Sequence, residues 1–199
     1  MPSSPAPDTN RVFRTKESVR QALIALLEDH DVNRIKAADV YNRARVSKAT
    51  FYRYYRDVFD LLVECFELYL DVQPEVGASI EAGSFARSTR ELILLGTRRI
   101  QRYPRLYLAC VQCTYAPFLQ DFSARSTHLS ERSVRRLVED RGLTAQTCAI
   151  DVDRLAQLCI MLSTDINVAW AKGGCVETPE AVADLQATCI VRFIDGMRA

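Results

Sequence analysis

Residues 45–55 read RVSKATFYRYY. The stretch holds Arg45, Lys48 and Arg53, no acid, and aromatic rings at 51, 52, 54 and 55. Ser47 is a small hydroxyl residue of the kind that caps a helix by accepting from a backbone N–H two or three positions on. A helix starting there puts Phe51 and Tyr55, four apart, on one face with Val46. Lys48, Ala49, Thr50, Arg53 and Tyr54 then face the other way, with Tyr52 at the edge. Two readings compete: a solvated basic face behind an aromatic core pair, or a surface shaped to lie against something negatively charged.

The flanking sequence favours the second. Upstream, Val19, Ala22, Leu23, Leu26 and Leu27 form an apolar stripe at helical spacing, which predicts a first helix over about 16–28 with Thr15 as its cap. Ala37, Val40, Tyr41 and Ala44 predict a second helix, anchored by Ile35. Arg45-Val46 is a tight connection into the third. Asp57 is placed to cap a fourth helix, with Asp60 three residues on in capping-box position. Two short helices joined by a tight turn, the second capped and basic, fit a helix-turn-helix. The second helix of such a unit must present an acid-free polar face to the DNA major groove. Small Ala49 permits close approach. Lys48 can reach guanine O6/N7, Thr50 a phosphate or a thymine methyl, and tyrosine hydroxyls suit phosphate oxygens. Ser47 and the helix N-terminus offer N–H groups to another phosphate.

Residues 14–66 resemble the N-terminal DNA-binding domain of the tetracycline-repressor (TetR) family of bacterial regulators. The resemblance is carried by the RTK at 14–16, the VSKATFYRYY recognition segment and the D-LL opening of the fourth helix. It implies a homodimer with two helix-turn-helix heads on a palindromic DNA operator, and repression relieved by a small effector bound in a helical C-terminal domain. By position, it makes Lys48, Ala49, Thr50, Tyr52, Arg53 and Tyr54 the recognition contacts, and Thr15, Lys16, Lys36 and Ser47 phosphate contacts. Two positions depart from the family pattern. Arg45 stands where the turn usually has Gly; if that site needs a positive φ, a side chain costs roughly 1 kcal/mol there, and Arg45 could itself touch phosphate. Val58 stands where a Lys often meets the DNA backbone, and Arg56 could substitute.

Composition agrees with a globular protein of this kind. Net charge is only +1 over 199 residues. Yet residues 1–60 hold eleven Lys/Arg against eight Asp/Glu, while the remainder holds fifteen against seventeen. The basic excess is local to the N-terminal end. No apolar run approaches the roughly 20 residues of a membrane span. The opening MPSSPAPDTN lacks the apolar core of a secretory signal and reads as a disordered tail over 1–13. Seven scattered cysteines suit a reducing cytoplasm. Cys110-Val-Gln-Cys113 has no second CxxC, and the only histidines are His30 and His128, so no metal or cofactor is expected. No GxSxG, HExxH, GxxxxGK[ST] or GxGxxG is present, which argues against an enzyme.

Gly is scarce, and the helical period runs through the rest of the chain. The expected fold is all-α with about nine helices: a head over 14–60 and a ligand-binding and dimerisation domain over 61–199. Further helices are expected at about 84–102, 104–111, 117–142, 151–171 and 178–197, with Pro104 and Pro179 at first positions and Gly142 just past an end. The last two are apolar on more than one face, which suggests a four-helix homodimer interface. Tyr103, Tyr107, Cys110, Tyr115, Phe118, Phe122 and Trp170 form a candidate effector pocket, suited to an apolar or aromatic molecule. Thiol-sensing through Cys110 and Cys113, or DNA binding without an effector, are the alternatives.

Overall fold

Pro7 opens the first helix, α1 (Pro7–Leu26), in the first of the segments that the computed structural model describes: residues 7–71, 88–120, 122, 135 and 150–197. Proline is tolerated there because the first-turn N–H has no partner to lose. No breaker lies between it and Thr15, so the helix starts nine residues before the position expected. Residues 7–13 are therefore helix rather than tail. Thr15 is not a cap; its hydroxyl donates to Arg11 O at 2.9 Å, one turn back.

A 3-10 turn at Val32–Arg34 leads into α2 (Ala37–Arg43), and Ser47 caps α3 (Lys48–Tyr54). Asp57 accepts from Asp60 N at 2.8 Å to start α4 (Val58–Tyr69). Asp60 returns the bond to Arg56 N at 3.0 Å, one residue before the box geometry would have it. Further on lie α5 (Ser88–Arg102) and α6 (Pro104–Gln112), then α7 (Val152–Lys172) and α8 (Pro179–Asp195). Residues 116–120 are helical as well. The helix expected over 117–142 otherwise lies outside the described residues, as does Gly142. Among the described residues there is no strand, and no helix is long and apolar enough to cross a membrane. The expected all-helical architecture of head and body is the one observed.

The cores follow the predicted stripes. Val19, Leu23, Val40, Phe51, Leu61 and Leu62 are fully buried together, and Leu106, Cys110 and Phe118 join the same cluster. Head and body thus share one core, with α4 and α6 in contact across it. Burying a ring the size of Phe51 contributes about 1.5–3 kcal/mol. A second cluster joins Leu155, Ala156 and Cys159 of α7 to Ile190 and Ile194 of α8, with Leu92 and Ile93 packed on it. A third gathers Ile100, Leu108, Trp170 and Val182.

Candidate nucleic-acid interface

The turn into α3 is built from backbone. Val46 N donates to Tyr41 O at 3.0 Å and Arg45 N to Asn42 O at 3.1 Å. This is the paired closure of a Schellman motif, which needs a left-handed residue between. Arg45 occupies it at φ 55°, as the Gly-to-Arg departure implied. Ser47 Oγ accepts from Thr50 N at 3.1 Å, and the Ser47 and Thr50 hydroxyls lie 2.8 Å apart.

From this cap α3 projects as the sequence requires. Phe51 and Tyr55 are buried, with ring centroids 5.6 Å apart. Lys48, Ala49, Tyr52 and Arg53 are exposed, and Thr50 and Tyr54 are half-buried. Tyr52 stands edge-on to Phe51 at 5.4 Å and keeps about half of its surface in solvent. No acid occurs between Asp39 and Asp57. Among the described residues Arg43, Arg45, Lys48 and Arg53 make no ion pair, so their charge is uncompensated. Arg56 is exposed but paired to Asp60 at 3.3 Å, and that bond raises its pKa. Lys36, exposed at the start of α2, also has no ion pair.

Lys16 is placed differently from the other basic candidates. Its Nζ lies 2.5 Å from Glu64 Oε2 and over the Tyr55 ring. Glu64 also accepts from Arg20 Nη1 at 2.6 Å and from the Tyr55 hydroxyl at 2.8 Å. Arg20, only 6% exposed, is further bound by Glu17, which accepts in turn from Tyr69. Burial acts to raise the Glu64 carboxyl, but the bonds from Lys16, Arg20 and Tyr55 outweigh it and hold it below the ordinary value. Burial and the bond to Glu64 push the Tyr55 phenol up. Sequence reading missed this network. Its local signals are the Glu17–Arg20 pair three apart and the Lys16–Arg20 spacing of four on α1; Glu64, which joins them, lies more than forty residues away.

The body's candidate pocket residues fall in two places. Cys110 and Phe118 are buried in the head–body core, with Tyr103, Tyr107 and Phe122 packed against it. Phe118 and Phe122 stack at 5.8 Å, Phe122 meets Phe66 at 5.1 Å, and Tyr103 meets Tyr69 at 4.9 Å. Tyr115 is 39% exposed and stacks on Phe59 at 4.5 Å. Trp170 lies apart in the third cluster, its indole donating to Glu177 O at 3.1 Å. Tyr107 borders both clusters. Burial raises its phenol, against hydrogen bonds from Asn167 and Thr164. Asn167 also accepts from buried Gln186 at 2.7 Å. The cysteines of the CxxC are both buried and free, and burial raises both thiols. Among the described residues no group of three or more potential ligands could hold a metal ion.

No family model matches the chain. Over 49 residues it is 37% identical to an uncharacterised HTH-type transcriptional regulator of Bacillus subtilis, YxbF, a match covering 25% of this chain and 13% of that protein. Similar solved structures extend over nearly the whole chain. NalD of Pseudomonas aeruginosa, the secondary repressor of a multidrug efflux pump, superposes with a TM-score of 0.75 at 12% identity, covering 92% of this chain and 98% of that one. FadR of Thermus thermophilus, a TetR-family repressor in complex with lauroyl-CoA, gives 0.64 at 16% identity, with 90% and 94% covered. A TetR regulator of Streptococcus agalactiae gives 0.60 at 21% identity, with 92% and 97% covered. An N-terminal helix-turn-helix, an all-helical body and these likenesses agree: the chain has the fold of the TetR-family transcriptional regulators.

Proposed function

We propose that this chain is a DNA-binding transcription regulator, and that it acts as a homodimeric repressor released from a palindromic operator by a small apolar or aromatic effector. The observation that carries the DNA-binding reading is the outer face of α3. It is capped, acid-free and exposed, and its cations have no ion-pair partner. Such charge binds phosphate by releasing counterions. Lys48, Ala49, Thr50, Tyr52, Arg53 and Tyr54 are the proposed groove contacts; Lys36, Arg45, Ser47 and Arg56 are the proposed backbone contacts. Thr15 and Lys16 are left out, because the hydroxyl of one and the ammonium of the other are engaged within the head.

The homodimer rests on α7 and α8, where Met161 is 61% and Leu185 53% exposed. The effector site is proposed around Tyr107, where the aromatic cluster of Tyr103, Cys110, Phe118 and Phe122 approaches the one that holds Trp170. Tyr115, on the surface against Phe59, is not part of that proposal. Thiol sensing is the weaker alternative, because buried Cys110 and Cys113 with raised pKa values are poor nucleophiles.

Fluorescence anisotropy against duplexes from the neighbouring promoter tests the central reading. Binding should fall steeply with salt. Arg53→Ala and Thr50→Ala should each weaken binding to the preferred duplex more than to an unrelated one. Indifference to salt and to both substitutions would count against a DNA-binding role.

A further inference from the structure

The Glu64 carboxylate stands where three helices meet. It accepts from Lys16 at 2.5 Å and Arg20 at 2.6 Å on α1, and at 2.8 Å from the hydroxyl of Tyr55, which ends α3. Glu64 itself lies on α4. That helix belongs to the body as well: beyond Glu64, Phe66 packs on Phe122 and Tyr69 on Tyr103.

Helix α3 is seven residues long and pinned to the core chiefly by Phe51 near its middle. Its soft coordinate is a tilt about that ring. Its N-terminal cap does not oppose such a tilt, because the Ser47 hydroxyl bonds to Thr50 and the Ser47 carbonyl accepts from Phe51 N, both within the same helix. At the C-terminal end the buried Tyr55 ring fills space, and its hydroxyl gives the direction-specific bond. A charge-assisted hydrogen bond is shorter and more directional than a neutral one. Groove recognition requires side chains held to about 0.5 Å, so a loosened α3 loses sequence discrimination before it loses charge.

On the DNA-binding reading above, we propose that Glu64 is a positioning residue: through the Tyr55 hydroxyl it sets the angle of α3 on α4 and so the fit of α3 to its base sequence. It touches no DNA. It also holds Lys16 inward, so that one cation of α1 serves the head rather than the phosphates.

The wild-type protein is used to enrich a preferred duplex from a randomised library. Affinities for that duplex and for an unrelated one are then measured by anisotropy for wild type, Tyr55→Phe, Glu64→Gln and the double variant, at a temperature where circular dichroism shows each to be folded. Each single variant should bind the enriched duplex roughly ten- to hundred-fold more weakly, the range of one hydrogen bond to a charged group. Tyr55→Phe should keep wild-type affinity for the unrelated duplex and the wild-type salt slope, which a loss of phosphate contacts would change. The double variant should bind no worse than Glu64→Gln, because both remove one link. Folded Tyr55→Phe that discriminates like wild type, or losses that add, would overturn the proposal. If Glu64→Gln does not fold, Tyr55→Phe decides by itself. Failure of the wild type to enrich any duplex overturns the DNA-binding reading instead, and with it the basis of this proposal.

Discussion

Asn33 and Thr114 lie 81 residues apart and are joined by two hydrogen bonds: the Thr114 N–H and hydroxyl both donate to Asn33 Oδ1, at 2.9 and 2.8 Å. Nδ2 of the same amide donates to Gln112 O at 3.2 Å. The turn before α2 is thus clasped to the end of α6, beside the Phe59–Tyr115 stack. Asn33→Ala should cost about 1 kcal/mol, the net worth of a typical hydrogen bond. Urea unfolding with an unchanged m-value would read it, and amide exchange at Thr114 should accelerate. An unchanged midpoint and unchanged exchange would show that the clasp carries no load.

Arg45 makes a second, opposite-signed prediction. Relief of its left-handed backbone is worth about 1–2 kcal/mol. Glycine's added freedom in the unfolded chain takes back roughly 0.4–1 kcal/mol. Arg45→Gly should therefore stabilise the head by about 0.5–1 kcal/mol while lowering the salt slope of DNA binding by about one. A more stable variant with an unchanged slope would leave Arg45 as a turn residue only.

Acid should unfold the head through its carboxylates. Glu17 is lowered chiefly by the bond from Arg20, and Asp60 chiefly by the Arg56 backbone N–H. Glu64 is lowered by the bonds from Lys16, Arg20 and Tyr55, which overcome its burial. A folded-state pKa below the unfolded one means the unfolded chain binds protons first. The stability is present above the ordinary glutamate value of 4.5 and lost as pH falls through the folded values. Denaturant midpoints measured from neutral pH downward should decline below about that point, and less so in Glu64→Gln. Equal declines in both proteins would rule out Glu64 as a source.

Dimerisation should fail when a charge enters the exposed apolar face of the last two helices. Leu185→Glu is expected to sediment as a folded monomer at concentrations where wild type is a dimer, because an unpaired carboxylate would have to be buried. Its affinity for a palindromic duplex should drop with the loss of linked half-sites. A dimeric Leu185→Glu protein would place the interface elsewhere.

Much of the head was legible because its determinants are local. Ser47 and Asp57 cap by bonds to residues three positions on; in the body, Pro104 and Pro179 likewise open helices where a missing N–H is harmless. The inward pair Phe51 and Tyr55 needs only the 3.6-residue period. The strained geometry of Arg45 follows from the shortness of its turn. Thr15 was misread for an equally local reason: a threonine hydroxyl can cap a helix or bond back to the carbonyl one turn earlier, and the spacing is the same for both.

The sequence alone determined where most of the described helices lie, which of their faces turn inward and which short helix carries unopposed positive charge, since each depends on neighbours within about one turn; it missed the helical residues 7–13. Only the tertiary structure decided that Lys16 belongs to Glu64, that Asn33 holds Thr114, and that Trp170 parts from the aromatic residues around Cys110. Those pairings join chain segments tens of residues apart, and helical periodicity says which face of each segment is buried but not what it is buried against.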